Sequence, residues 1–187
     1  MAAADDVLAE LRKEMEGTLN AMRREMSRTR TGRASTALLE GITVDYYGAK
    51  TPLNQLATLG APEPRLLVIQ PFDRSVINDI ERAILQSDLG LVPQNDGKLI
   101  RVPIPELTEE RRRDLVKHVR KTAEEYRVSM RNHRRDANEL LKELEKDGEL
   151  TQDELHRAQE KTQELTKDYT ERLEKILKAK EDEIMEV

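Results

Sequence analysis

"IRVPIPELTEERRRDL" occupies residues 100–115, and two kinds of chain meet in it. Ile100, Val102 and Ile104 alternate with polar or proline positions, the period-two pattern of a half-buried strand. Pro103 and Pro105 have no amide proton and stiffen the chain where that pattern ends. Thr108 then offers a hydroxyl to cap the free N–H groups of a helix start. Glu109 and Glu110 suit the positive end of the helix dipole. From Leu115 onward the apolar spacing is helical. The stretch therefore predicts a strand-to-helix boundary, with a sheet domain upstream and long helices downstream.

Downstream, the apolar seam runs Leu115, Val119, Thr122, Tyr126, Met130, His133, Ala137, Leu140 and Leu144, in steps of three or four. Gly148 in "EKDGEL" is a natural C-terminal cap. One helix of ~39 residues and roughly 58 Å is predicted. A further helix opens on the capping box Thr151-x-x-Glu154. Its seam is Leu155, Ala158, Thr162, Leu165, Tyr169, Leu173, Ile176 and Ile184, interrupted by Lys180. The short turn at 147–150 makes these two helices antiparallel neighbours. Near the start of the chain, Val7, Leu11, Met15, Leu19, Met22 and Met26 mark a third helix over about residues 5–30. Helices with so narrow a stripe need partners to bury it. A three-helix bundle from residues 1–30 and 105–187 satisfies all three.

Residues 31–104 read differently. "ITVDYY" alternates, with Ile42, Val44 and Tyr46 on one face, and "RLLVIQ" (65–70) has the apolar character of a central strand. "DRSVINDIERAILQSDLG" predicts one amphipathic helix, capped by Asp73 or Ser75, with Ile77, Ile80, Ala83 and Ile84 inward and Gly90 beyond its end. "QNDGK" reads as a tight turn between two strands. The fold class is thus α+β: a long antiparallel three-helix bundle with a small inserted α/β domain, an L-shaped two-domain molecule. The insert joins the bundle through Arg30–Ala34 and Val102–Pro105. Thr31, Gly32, Arg33, Pro103 and Pro105 are the candidate hinge residues.

The chain carries a net charge of −5, yet residues 111–135 hold ten Lys or Arg against three acids. Residues 136–187 hold nine basic against seventeen acidic residues, so the positive charge forms one directed zone. Within "VSMRNHRRDANELL" (128–141), His133 falls on the seam and reads as a core or boundary residue. Arg131, Arg134 and Asn138 share the outward face, which extends back through Arg127, Arg120, Lys117 and Arg113, with Glu124 the one acid on it. Arg135 lies beside it. Two readings stand: a solvated helix face with (i, i+4) ion pairs, or an arginine row of the kind that makes fork contacts with phosphate. Arg23, Arg24, Arg28, Arg30 and Arg33 form a second basic cluster, expected beside Arg111–Arg113.

Catalysis finds little support. There is no cysteine, and the three histidines (His118, His133 and His156) are scattered. No P-loop or HExxH pattern occurs. No cofactor and no metal are expected. No apolar run approaches the ~20 residues of a membrane span, and the N-terminus lacks the marks of a signal or transit peptide. A cytoplasmic protein without membrane association, acting as a monomer, is expected.

Several segments, in order and spacing, resemble the bacterial ribosome recycling factors: "RTGRAS" (30–35), "DYYG" and "TPLNQLA" (45–48 and 51–57), "FDRS" (72–75), "IERAI" (80–84), "SDLGL" (87–91), "IRVPIPELTEERR" (100–112) and "RNHRRDAN" (131–138). That resemblance covers the chain from its first helix to its end. It implies a translation factor, not an enzyme, that binds the ribosome after termination and splits it into subunits with elongation factor G and GTP. It implies rRNA contacts at Arg131 and Arg134, with Arg135, Arg127, Arg28 and Arg30 as further candidates. It also implies that the inserted domain meets elongation factor G and swings about the hinge. The family usually has Val or Ile at position 133, in keeping with the seam reading of His133. The alternative is a helical scaffold whose basic stripe is only a solvated face.

Overall fold

The computed structural model describes Ala2–Glu186. Three long helices carry one compact unit, Met1–Met26 with Arg112–Val187, and the sheets carry the other, Ser27–Arg111. The helices are α1 (Ala2–Arg28), α4 (Glu109–Lys146) and α5 (Gln152–Met185). Between α1 and α4 lie β1 (Thr43–Tyr46), β2 (Ala49–Pro52), α2 (Leu53–Leu56), β3 (Ala57–Glu63), β4 (Leu66–Pro71), α3 (Ile77–Gln86), β5 (Gln94–Asn95) and β6 (Ile100–Pro103).

In the helical unit the predicted seams are largely buried. Leu11, Met15, Leu19 and Met22 of α1, Val119, Ala123 and Met130 of α4 and Leu173 of α5 are among its most deeply buried residues. Two pairs fix the antiparallel register of α4 on α5: Arg120 with Glu181 and Arg127 with Glu174. Tyr126 with Glu25 and His133 with Thr18 do the same for α4 on α1. Thr108 accepts from the Arg111 amide at 3.2 Å, as a helix cap should. At the start of α5 the capping box is complete: Thr151 Oγ1 accepts from Glu154 N, and Glu154 Oε2 accepts from Thr151 N at 2.8 Å. Gly148 has φ +77, the left-handed value that ends α4.

The seam of α4 departs from prediction near its end. Leu141 is fully buried, while Leu140 is 51% exposed. Leu141 packs with Ala4, Leu150 and Ala158 at the end of the bundle, and that cluster selects it over its neighbour. Thr166 and Leu177 are also buried in α5, and so is Lys180, whose amine reaches Glu183 at 3.1 Å.

In the other unit all strand pairs are antiparallel. β1 and β2 form a hairpin, and β3-β4-β6-β5 form a four-stranded sheet. β4 is central, as "RLLVIQ" suggested, and Leu67, Ile69, Ile100 and Val102 bury one face beneath Ile80 and Ile84 of α3. The predicted helix at 73–90 is shorter than expected. Asp73 caps a single 3-10 turn, Arg74–Val76, and α3 begins only at Ile77. β2 and β3 were not foreseen, and β5, implied only as the strand before the "QNDGK" turn, is two residues long. β3 contains Gly60 and Pro62, ordinarily turn markers, and it tolerates both because it lies at the sheet edge and its register shifts between Gly60 and Glu63. Pro103 is paired with Leu66 inside β6, so it is a strand residue rather than part of a free connector.

Candidate nucleic-acid interface

Helical spacing puts Arg127, Arg131, Arg134 and Asn138 in successive turns of α4. Their surroundings differ. Arg127 grips Glu174 of α5 through Nε (2.5 Å) and Nη2 (2.9 Å), and donates from Nη1 to Glu124 at 2.9 Å. Its guanidinium is held even more firmly in the charged form, chiefly by the Glu174 hydrogen bonds. Arg131 Nη2 reaches the same Glu124 at 2.8 Å. Hydrogen bonds from Arg131, and then from Arg127, hold the Glu124 carboxyl below the usual carboxylate range. Arg120 is likewise taken by Glu181 at 2.6 Å. The expectation that Arg131 has no acid within reach is therefore corrected, since Glu124 engages it, and acids from α5 engage Arg120 and Arg127.

Arg134 stands apart. Its described partner is a neutral amide, Gln163 Oε1 on α5, and the distance is a long 3.4 Å. Arg135 lies 3.7 Å from Asp136, beyond hydrogen-bonding range, with both side chains well exposed. Arg131, Arg134, Arg135, Asn138 and Lys142, with one acid, Glu139, line an open depression of about 460 Å³ on α4. A shallow concavity edged by arginines, with no aromatic ring in its lining, suits a phosphate backbone better than a stacked base.

His133 is a half-buried boundary residue, facing α1 rather than solvent. Nε2 is 2.9 Å from Thr18 Oγ1 and Nδ1 is 3.3 Å from Glu14 Oε2. Two polar partners on α1 make a seam histidine tolerable here. Two members of the second basic cluster, Arg23 and Arg24, are not beside the start of α4. Glu25 pairs with Tyr126, more than three turns into α4, so Arg23 and Arg24 lie level with the middle of that helix. Arg23 donates to Asn20 at 3.0 Å, while Arg24 and Arg33 have interactions of their own. Arg28, exposed at the end of α1, and half-buried Arg30 belong to the sheet-bearing unit.

Gly32 has φ +78, which an L side chain rarely adopts, and a Cβ there would meet Leu107 Cγ at 3.1 Å. Thr31 beside it is buried. Among the described residues no group of three or more His, Cys, Asp or Glu is placed to hold a metal ion, and no helix is long and apolar enough to cross a membrane.

A family model described as "Ribosome recycling factor" matches residues 22–185. The ribosome-recycling factor of Halalkalibacterium halodurans is 59% identical over 182 residues, covering 97% of this chain and 98% of that protein. The chain belongs to the ribosome recycling factor family. The Bacillus subtilis member is 53% identical over the same length and coverage. A solution structure of a ribosome recycling factor superposes with a TM-score of 0.82 at 44% identity, with both chains fully covered. A second ribosome recycling factor structure, at 44% identity and a TM-score of 0.69, covers 98% of this chain and 100% of its own. It is described as models for the T. thermophilus ribosome recycling factor and the E. coli elongation factor G bound to the E. coli post-termination complex. The α+β class expected of the family matches the three packed helices and the small antiparallel sheets.

Asn138 is the site residue whose role the sequence did not reveal. Helical spacing placed it on the arginine face. Its side-chain Oδ1, however, is buried and has no hydrogen-bond partner among the described residues, and no pattern in the sequence announces that.

Proposed function

We propose that the chain binds the post-termination ribosome through large-subunit rRNA and, with elongation factor G and GTP, separates the subunits for another round of initiation. Family membership and the related structure with elongation factor G support the setting. The observation that carries the rRNA contact is the weak engagement of Arg134: a phosphate has only a neutral amide to displace there. At Arg131 it must compete with Glu124. Arg134 is therefore the main phosphate contact, with Arg131 and Arg135 beside it. Arg28 and Arg30 are weaker candidates. Arg127, doubly engaged, serves first as a strut between α4 and α5.

The protein contributes binding energy and stiffness, and the nucleotide chemistry belongs to the GTPase. Thr31, Gly32, Arg33 and Pro105 are the connector residues proposed to flex as elongation factor G displaces the sheet-bearing unit. Pro103 is not among them, because it is held in β6 by its pairing with Leu66. The factor is proposed to work as a monomer in the cytoplasm.

The test is a subunit-splitting assay on post-termination ribosomes. Splitting should require this protein, elongation factor G and GTP together. Splitting by elongation factor G and GTP at the same rate without this protein contradicts the proposal. A scaffold with a merely solvated stripe would show no affinity for ribosomes at all.

A further inference from the structure

The buried Oδ1 of Asn138 is an acceptor without a donor. Such an atom is costly in a native structure unless some state of the molecule supplies its partner. Ala137 beside it in sequence and Leu141 three residues on are both buried and have no side-chain donor. A helical side chain leans toward the N-terminal turn, so Asn138 leans over Arg134 and Arg135. Arg135 sits nearest Asp136. Lys142 lies one turn in the opposite direction. Arg134, four residues back and lining the same depression, holds Gln163 only at 3.4 Å. Because Oδ1 is buried, RNA itself does not reach it, and Arg134 is the weakly held donor on the same face one turn away.

We propose that Asn138 is a positioning residue for Arg134: when Arg134 releases Gln163 for an RNA phosphate, its guanidinium donates one N–H to Asn138 Oδ1 and is fixed with its fork toward the phosphate. A guanidinium has five N–H donors in a rigid plane, so one directed inward leaves a pair for the phosphate oxygens. The orphan oxygen is then a feature of the free protein that binding relieves. This rests on the reading of Arg134 as a phosphate contact.

The test is a double-mutant cycle on affinity for purified large ribosomal subunits, measured across a range of salt, with Asn138→Ala, Arg134→Ala and the double variant. Asn138→Ala should weaken binding about tenfold, the worth of one charge-assisted hydrogen bond. Its salt slope should move toward that of Arg134→Ala. In the Arg134→Ala background it should add less than about twofold. The melting temperature of Asn138→Ala should not fall, since alanine favours the helix and removes the orphan oxygen. A structural role would lower it. If alanine disturbs folding, Asn138→Ser completes the same cycle, because its short side chain cannot reach the guanidinium. Equal losses in both backgrounds overturn the proposal. Unchanged binding by Arg134→Ala at every salt concentration overturns the phosphate reading and this inference with it, a result distinct from a sensitive Arg134 that is uncoupled from Asn138.

Discussion

Arg112 shows how one side chain finishes a helix far away in sequence. Its Nη1 donates to Ile184 O at 2.9 Å and to Glu186 O, carbonyls that the end of α5 leaves without intrahelical partners. A cation there also complements the negative end of the helix dipole. Arg112→Ala should cost about 1 kcal/mol of stability. Amide hydrogen exchange confined to the last turn of α5 should quicken. Unchanged exchange there would show that the carbonyls are served by water alone. Little of this was legible in the sequence, which offers Arg112 as one of three consecutive arginines with no sign of which turns inward. Lys180 is a similar case. It looked like an interruption in the seam, but its long methylene stem lies buried while the amine reaches Glu183. The charged row of α4 was legible in position but only partly in pairing, as Arg127 with Glu124. Helical spacing gives each residue's angle around α4, but the acids that meet Arg120 and Arg127 come from α5, and their placement depends on the register of two helices.

Long periodic helices announce themselves, because their apolar spacing repeats over many turns and averages out local exceptions. Where two adjacent leucines both fit the period, as at Leu140 and Leu141, only the packing cluster at the bundle end decides between them. Leu141→Ala should therefore destabilise by about 2–5 kcal/mol, while Leu140→Ala should stay within about 1 kcal/mol. Chemical denaturation of the two variants checks this, and equal losses would contradict the packing. The short strands were harder to read. β5 contributes only Gln94–Asn95, and β3 carries Gly60 and Pro62, so neither has the length or composition that marks a strand. The turn between β5 and β6 was foreseen, and its strength lies in Asp96. That carboxylate accepts from the Lys98 and Leu99 amides at 2.9 Å each and from Arg101 at 2.7 Å, which lowers its pKa from 3.8 to about 2. A lowered carboxylate pKa favours the folded state above the unfolded value and ceases to do so as pH falls through the folded one. The Asp96 contribution should thus be complete above about pH 4 and vanish toward pH 2. Asp96→Asn should flatten the pH dependence of stability in that window, which acid titration of unfolding measures. An unaltered profile would exclude Asp96 as its source.

At the scale of the molecule, the separation of a helical unit from a sheet unit follows from two incompatible apolar periods in one chain. Gly32 lies in the segment connecting α1 to β1 at φ +78, a conformation proline cannot adopt. Gly32→Pro must rebuild that connector. It should leave affinity for the large subunit within about threefold while slowing subunit splitting at least tenfold; flexing connectors characteristically govern coupled steps rather than contacts. Equal loss of both would mean that the two units do not act separably. Contact between rRNA phosphates and the basic face of α4, with the weakly engaged Arg134 foremost, is the proposed basis of ribosome binding. It is tested most directly by measuring the affinity of Arg134→Ala for large ribosomal subunits as a function of salt. Weaker binding and a log–log salt slope shallower by ~0.7–0.9, one phosphate contact, are expected, with the fold intact. Wild-type affinity and an unchanged slope would contradict it.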